Sequence, residues 1–137
     1  MPSTRAFADF CCELLSGVGA CQPRRMFGGW GLSIDGLTIA IVADLGSGER
    51  LWLKADADTR SQFDAANCQR FAYSAGKGGK MEQRSMNYYS APDEAMDAPH
   101  AMAPWARMAL ESALKARAAT RKGAVATERA GSKRRPG

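Results

Sequence analysis

The chain is poor in the residues from which most small-protein active sites are built. It has a single histidine, His100, in 137 residues, so any site needing two imidazoles is excluded and only one base is left for a nucleophile–base pair. His100 stands between Pro99 and Ala101, with no serine or cysteine in a nucleophile-elbow context, and reads as an ordinary residue near the start of a helix. The four cysteines, Cys11, Cys12, Cys21 and Cys68, never fall at C-x-x-C spacing, which excludes the usual structural zinc sets. They read as reduced, structural thiols. No window approaches the roughly 18–20 apolar residues of a membrane span, and the N-terminus lacks a charged stretch followed by an apolar run. A cytoplasmic protein with no membrane contact is expected. The glycine-rich stretches also lack phosphate-loop spacing. Phe27-Gly28-Gly29-Trp30-Gly31 is not G-x-G-x-x-G and sits in a strand pattern, and Lys80 of Gly76-Lys77-Gly78-Gly79-Lys80 is followed by Met81 rather than Ser or Thr. No catalytic residue, cofactor or metal is expected.

Charge is present but unevenly placed. Residues 1–114 hold 11 Lys+Arg against 13 Asp+Glu, a net of −2. Residues 115–137 hold 8 against Glu128 alone, a net of +7. The overall +5 therefore belongs to a basic arm and not to a basic face of the domain.

Periodicity organises the rest. Phe7, Phe10, Cys11, Leu14, Leu15 and Val18 form one helical stripe, with Ser3 or Thr4 as N-cap and Gly17 or Gly19 at the exit. From Met26 the period becomes two. Trp30, Leu32 and Ile34 lead to the tight-turn dipeptide Asp35-Gly36. Leu37, Ile39 and Ile41 then continue on one face, with Thr38, Ala40 and Val42 on the other. Gly46-Ser47-Gly48 turns the chain into the strand Leu51-Trp52-Leu53. Asp56 or Asp58 caps a helix to about Ala66, with Phe63 on its buried side. Gln69–Ser74 and Lys80–Tyr89 read as a hairpin around a loose 76–79 loop, and Pro92 ends the sheet. Asp93, Glu94 and Asp97 suit the N-terminal end of the last helix, which follows Pro99 and Pro104 and runs towards Ala119. The order α-βββ-α-ββ-α gives an α+β fold with an antiparallel five-stranded sheet and packed helices over 1–118. Residues 119–137, with Val125 as their one large apolar side chain, are expected to form a disordered basic tail.

Several segments carry a resemblance. Arg25-Met26-Phe27-Gly28-Gly29-Trp30-Gly31-Leu32, Leu51-Trp52-Leu53-Lys54, Phe71-Ala72-Tyr73, Met86-Asn87-Tyr88-Tyr89 with Pro92, and Trp105 with Ala109 together resemble, in order, the N-terminal domain of the TfoX/Sxy competence regulators. The resemblance implies a compact α+β domain and a tie to the regulation of DNA-uptake genes. Regulators of that type carry a second, C-terminal domain, and a basic segment is expected in its place here.

The resulting expectation is a non-enzymatic regulatory or adaptor domain that contacts a protein partner. Arg121, Lys122, Arg129, Lys133, Arg134 and Arg135 are the candidates for touching nucleic acid. A small enzyme with a sheet-borne pocket and a homodimerising binding module are the alternatives. Tyr88 and Tyr89, on opposite faces of a strand, are expected to give one core ring and one ring that is exposed or paired across the sheet. The oligomeric state is left open by the sequence.

Overall fold

In the computed structural model the backbone is described for residues 5–26, 29–46, 48–77 and 80–133, with side chains described outside 73–85 and 120–133. Helix α1 (Arg5–Leu15) precedes strands β1 (Cys21–Met26), β2 (Gly29–Ile34), β3 (Leu37–Asp44) and β4 (Glu49–Lys54). Helix α2 (Arg60–Ala65), strands β5 (Arg70–Lys77) and β6 (Lys80–Ser90), a 3-10 turn (Asp93–Asp97) and helix α3 (Pro99–Lys133) complete the chain. The strands form one antiparallel sheet in the order β1-β2-β3-β4-β6-β5.

The sheet has six strands where five were expected. The added one, β1, holds Pro23 and the polar Gln22, Arg24 and Arg25, so it lacks alternating large apolar residues. Among the described residues it pairs only with β2. A proline removes a ladder donor and is tolerated on an edge strand, where one side needs no partner.

Local chemistry places the turns as expected. Asp35 and Gly36 adopt φ of 52° and 80° between the paired residues Ile34 and Leu37, the double positive-φ geometry of a two-residue hairpin. The Asp44 carboxylate accepts from the N–H groups of Gly46 and Gly48 at 2.8 and 3.1 Å, closing the next turn. Ser3 and Thr4, the N-cap candidates of α1, and Phe27, Gly28 and Ser47 lie outside the described residues.

Two expectations about faces change, and so does the start of the last helix. Ile39 and Ile41 do not share a face: β2 and β3 shift register between Leu32 and Ser33, and a bulge residue inverts the alternation beyond it. Ile39, Ala40 and Val42 thus join the main core, while Ile41 joins a second cluster with Trp52, Phe71 and Tyr88. Phe10 is 42% exposed. It sits about 100° around the helix from Cys11, at the margin of the stripe, with its ring 6.3 Å from that of Phe7. Helix α3 begins at Pro99 and carries Pro104 inside it. Proline fits the first helical position, and Pro104 costs a single backbone bond in the second turn.

The main core joins Cys11, Leu14 and Leu15 of α1 to Leu32, Val42, Leu51 and Leu53 of the sheet and to Met102, Ala106, Ala109 and Ala113 of α3. The helices cover this face. The small α3 side chains let its backbone approach the sheet closely. Trp52 and Ile41, paired across β3 and β4, point to the other face, where Trp52 is 1% exposed and donates its indole N–H to the Ala43 carbonyl at 3.3 Å. Of the segment 119–137 expected to be disordered, the side chains of 120–133 and all of 134–137 lie outside the described residues. The helical backbone itself continues to Lys133.

Candidate functional site

Two places combine the singled-out residues: the glycine-aromatic strand β2 with its neighbours, and helix α3 where it leaves the core.

At β2 the glycines serve packing. A Cβ on Gly29 would overlap the Val42 carbonyl oxygen, and one on Gly31 would lie 2.7 Å from the Met26 sulfur. Gly29 therefore needs the smallest residue, because backbone occupies the space, whereas at Gly31 the flexible Met26 side chain is what fills it. Arg25 pairs with Trp30 in register. The guanidinium carbons of Arg25 and Arg5 lie 5.1 and 5.4 Å from the Trp30 ring, within the range of cation–π attraction. The described part of the signature thus unites β1, β2 and the start of α1.

The tyrosines divide between the faces. Tyr89 lies in the main core, stacked on Phe63 at 5.2 Å and 14°. Tyr88 lies in the second cluster, edge-on to Phe71 at 6.5 Å, with the Lys54 ammonium 5.0 Å from its ring. Both are buried, so the ring beyond the core is paired across the sheet. Burial raises the Tyr88 phenol above its ordinary value and lowers the Lys54 ammonium. Trp105 is half-buried and meets Phe63 at 5.2 Å, which gives an aromatic ladder from α3 through α2 to β6. His100 is exposed in the first turn of α3.

Helix α3 is fastened where its buried face ends. The Asp56 carboxylate accepts from the N–H groups of Asp58 and Thr59 at 2.9 and 3.0 Å, while the Thr59 hydroxyl accepts from the Asp56 N–H at 3.0 Å. This reciprocal pair closes the turn ahead of α2, whose own N-cap is Thr59 without a side-chain cap bond. Asp56, not Asp58, is the aspartate that organises the entry, one turn ahead of the helix rather than as its cap. The other Asp56 oxygen accepts from the Ser112 hydroxyl at 3.0 Å and pairs with Lys115 at 3.2 Å. Lys115 also reaches Asp58 at 3.1 Å. Burial pushes the Asp56 carboxyl up, but Lys115, Ser112 and the two backbone donors outweigh it and hold it below the ordinary value. The same two carboxylates raise Lys115.

Every described residue from Leu114 to Ala119 is exposed. Along the continuing helix, Lys115, Lys122 and Arg129 recur every seventh residue and Lys133 follows 18 residues after Lys115, so by position these four share a face. Arg121 lies on another face. Arg134 and Arg135 are outside the described residues. The structure thus puts four of the six arm candidates on the backbone of one helix.

The sequence model of the TfoX N-terminal domain matches residues 13–113. The chain belongs to the TfoX N-terminal domain family. No curated protein matches it. The match covers the sheet and the packed part of α3 and ends two residues before Lys115, so the basic extension lies beyond the family's matched span. Among the described residues of this TfoX N-terminal domain, no cluster of three or more His, Cys, Asp or Glu could hold a metal ion, and no helix is long and apolar enough to cross a membrane. The Asp56–Ser112–Lys115 fastening went unseen in the sequence because its partners stand 56 and 59 positions apart. The only signal was a capping aspartate of undecided identity.

Proposed function

We propose that this TfoX N-terminal domain is a non-enzymatic regulatory or adaptor domain of the cytoplasm. It contacts a protein partner through the folded part and nucleic-acid phosphates through its basic helical arm, in the setting of competence-gene regulation. One observation carries the nucleic-acid part: positive charge begins where α3 leaves the core. Asp56 and Asp58 neutralise Lys115, after which Arg117, Arg121, Lys122, Arg129 and Lys133 are opposed only by Glu128 up to the end of α3. From Lys115 to Lys133 the helix advances about 27 Å, a length suited to following a phosphate backbone. Contacts of this kind are electrostatic, salt-sensitive and indifferent to base sequence.

The test compares the full chain with a full-length variant in which Arg121, Lys122, Arg129, Lys133, Arg134 and Arg135 are all Gln. Duplex DNA binding is followed by fluorescence anisotropy at low and physiological salt. The natural chain is expected to bind with a log–log salt slope of about −0.9 per neutralised phosphate, and the variant to lose that binding. Equal binding by both would move the site onto the folded domain, with Arg24, Arg25, Lys77 and Lys80 next to test. No binding by either would overturn the nucleic-acid part.

A further inference from the structure

Two arginines on the helix-covered side of the sheet converge on one neutral acceptor. Arg60 opens α2 and Arg70 opens β5. The Nη2 of Arg60 donates to the Asn87 side-chain oxygen at 3.1 Å, and the Nη2 of Arg70 donates to the same oxygen at 2.9 Å. The two Nη2 atoms are therefore within about 6 Å of one another. Arg70 is oriented further by its Nε, which donates to the Met86 carbonyl at 3.2 Å. The backbone beneath is fixed as well, since the Ala55 N–H donates to the Asn87 carbonyl at 2.8 Å.

The arrangement is unusual in what balances it. Among the described residues neither guanidinium has a carboxylate within salt-bridge distance. Two like charges are held side by side by a single amide oxygen. The Nε of Arg60, on the same edge of the guanidinium as its bonded Nη2, is enclosed and has no hydrogen-bond partner. An enclosed, unpaired donor carries a desolvation cost that an incoming acceptor would relieve. Both arginines are half-buried while Asn87 is exposed, so the pair is preformed yet reachable from solvent beside the amide.

We propose that Arg60, Arg70 and Asn87 form a binding site for a phosphate dianion, free or as the monoester of a small molecule. The Nε–Nη2 fork of Arg60, the Nη2 of Arg70 and an amide NH2 supply donors from three side chains, which suit the three terminal oxygens of a phosphate better than the two of a carboxylate. Asn87 holds the forks apart in the empty site. When phosphate oxygens take over the Nη2 donors and the Arg60 Nε, the Asn87 side chain turns its NH2 to the ligand. The site is separate from the arm and stands whether or not the arm binds nucleic acid.

The experiment follows the full chain, labelled with nitrogen-15, by NMR in a zwitterionic buffer of fixed ionic strength. Sodium phosphate is titrated against sodium chloride, and the signals read are the Arg60 and Arg70 Nε–H and the Asn87 amide. Saturable shifts at these three groups with phosphate and not with chloride are expected. Arg70→Gln is expected to weaken binding at least about tenfold, since a hydrogen bond to a charged group is lost. Arg60→Lys, which keeps the charge but not the fork, should weaken it by a similar factor. Phenyl phosphate run alongside distinguishes the ligand source: equal affinity assigns free phosphate and tighter binding assigns a monoester. Shifts that match those in chloride, that do not saturate, or that are confined to the basic arm would overturn the site. So would unchanged affinity in Arg70→Gln. Should that variant lose its native spectrum, the same reading is taken from exposed Asn87→Ala.

Discussion

The two parts of helix α3 share one backbone conformation but not one source of stability. From Pro99 to Ala113 the helix buries Met102, Ala106, Ala109, Ser112 and Ala113 against the sheet and α1, and tertiary packing maintains it. Beyond Lys115 the described side chains are exposed, and helicity there rests on the intrinsic preference of Ala, Arg, Lys and Glu. Isolated helices of that length are marginal in water. Asp56 stands at the boundary, bonded to the last buried polar residue and the first paired cation of the arm. One helix can thus be part of the fold at one end and an extension of it at the other.

The largest effect should come from the packed part. Met102→Ala removes a fully buried side chain and should cost about 2–5 kcal/mol, measured by urea unfolding. A cost below about 1 kcal/mol would mean that α3 is not integral to the core. Trp105→Ala should come next. The ring is half-buried but contacts Phe63, so about 2 kcal/mol is expected, below the 3–5 of a fully buried aromatic. Near-ultraviolet dichroism should report the altered Phe63–Tyr89 stack.

Asp56→Ala tests the boundary. Loss of the turn-closing bonds alone should cost about 1 kcal/mol, with Ser112 and Lys115 losing their shared partner. The effect depends on pH in a fixed direction. The folded state holds the Asp56 carboxyl below its ordinary value, so its contribution is complete above the unfolded carboxylate pKa of about 3.9 and is lost as pH falls through the folded value. The variant's deficit should therefore be present at pH 7 and shrink on acidification below about pH 4. A deficit that grew on acidification would reverse the assignment. The smallest effect belongs to the exposed extension. Ala118→Gly should lower helicity by far-ultraviolet dichroism and change global unfolding by less than about 0.5 kcal/mol, although the same change in a coupled helix costs about 1. A full 1 kcal/mol would show that the extension unfolds with the domain and would erase the contrast.

Legibility in the sequence followed the range of each interaction. The Asp35-Gly36 turn, the α1 stripe and the strand pair β2–β3 depend on neighbours within a few residues, and they were readable. Strand β1 was not, because Pro23 and two arginines break the alternation that marks a strand, and only its place at the sheet edge makes them acceptable. The inversion between Ile39 and Ile41 depends on one bulge residue, and no local propensity announces it. Pro104 reads as a boundary in sequence, yet packing on both sides of it keeps α3 continuous. The candidate phosphate site was the least legible. Arg60, Arg70 and Asn87 come from three elements spread over 27 positions, and each alone is an ordinary surface residue. The arm's charge, by contrast, was readable from counting, whereas the helix that arrays it was not.

The two outer strands leave the sheet's margins unequal. On β1, Pro23 offers no N–H, and Arg24 and Arg25 would bring like charges together if two copies met there. On β5, Arg70–Lys77 runs eight residues without a proline, and among the described residues the backbone groups on its outer side have no strand beside them. Edge strands of that kind are templates for intermolecular pairing. In concentrated solution, any sheet-to-sheet growth between molecules is therefore expected to run through β5, so the protein's colloidal behaviour is set at one margin of the fold.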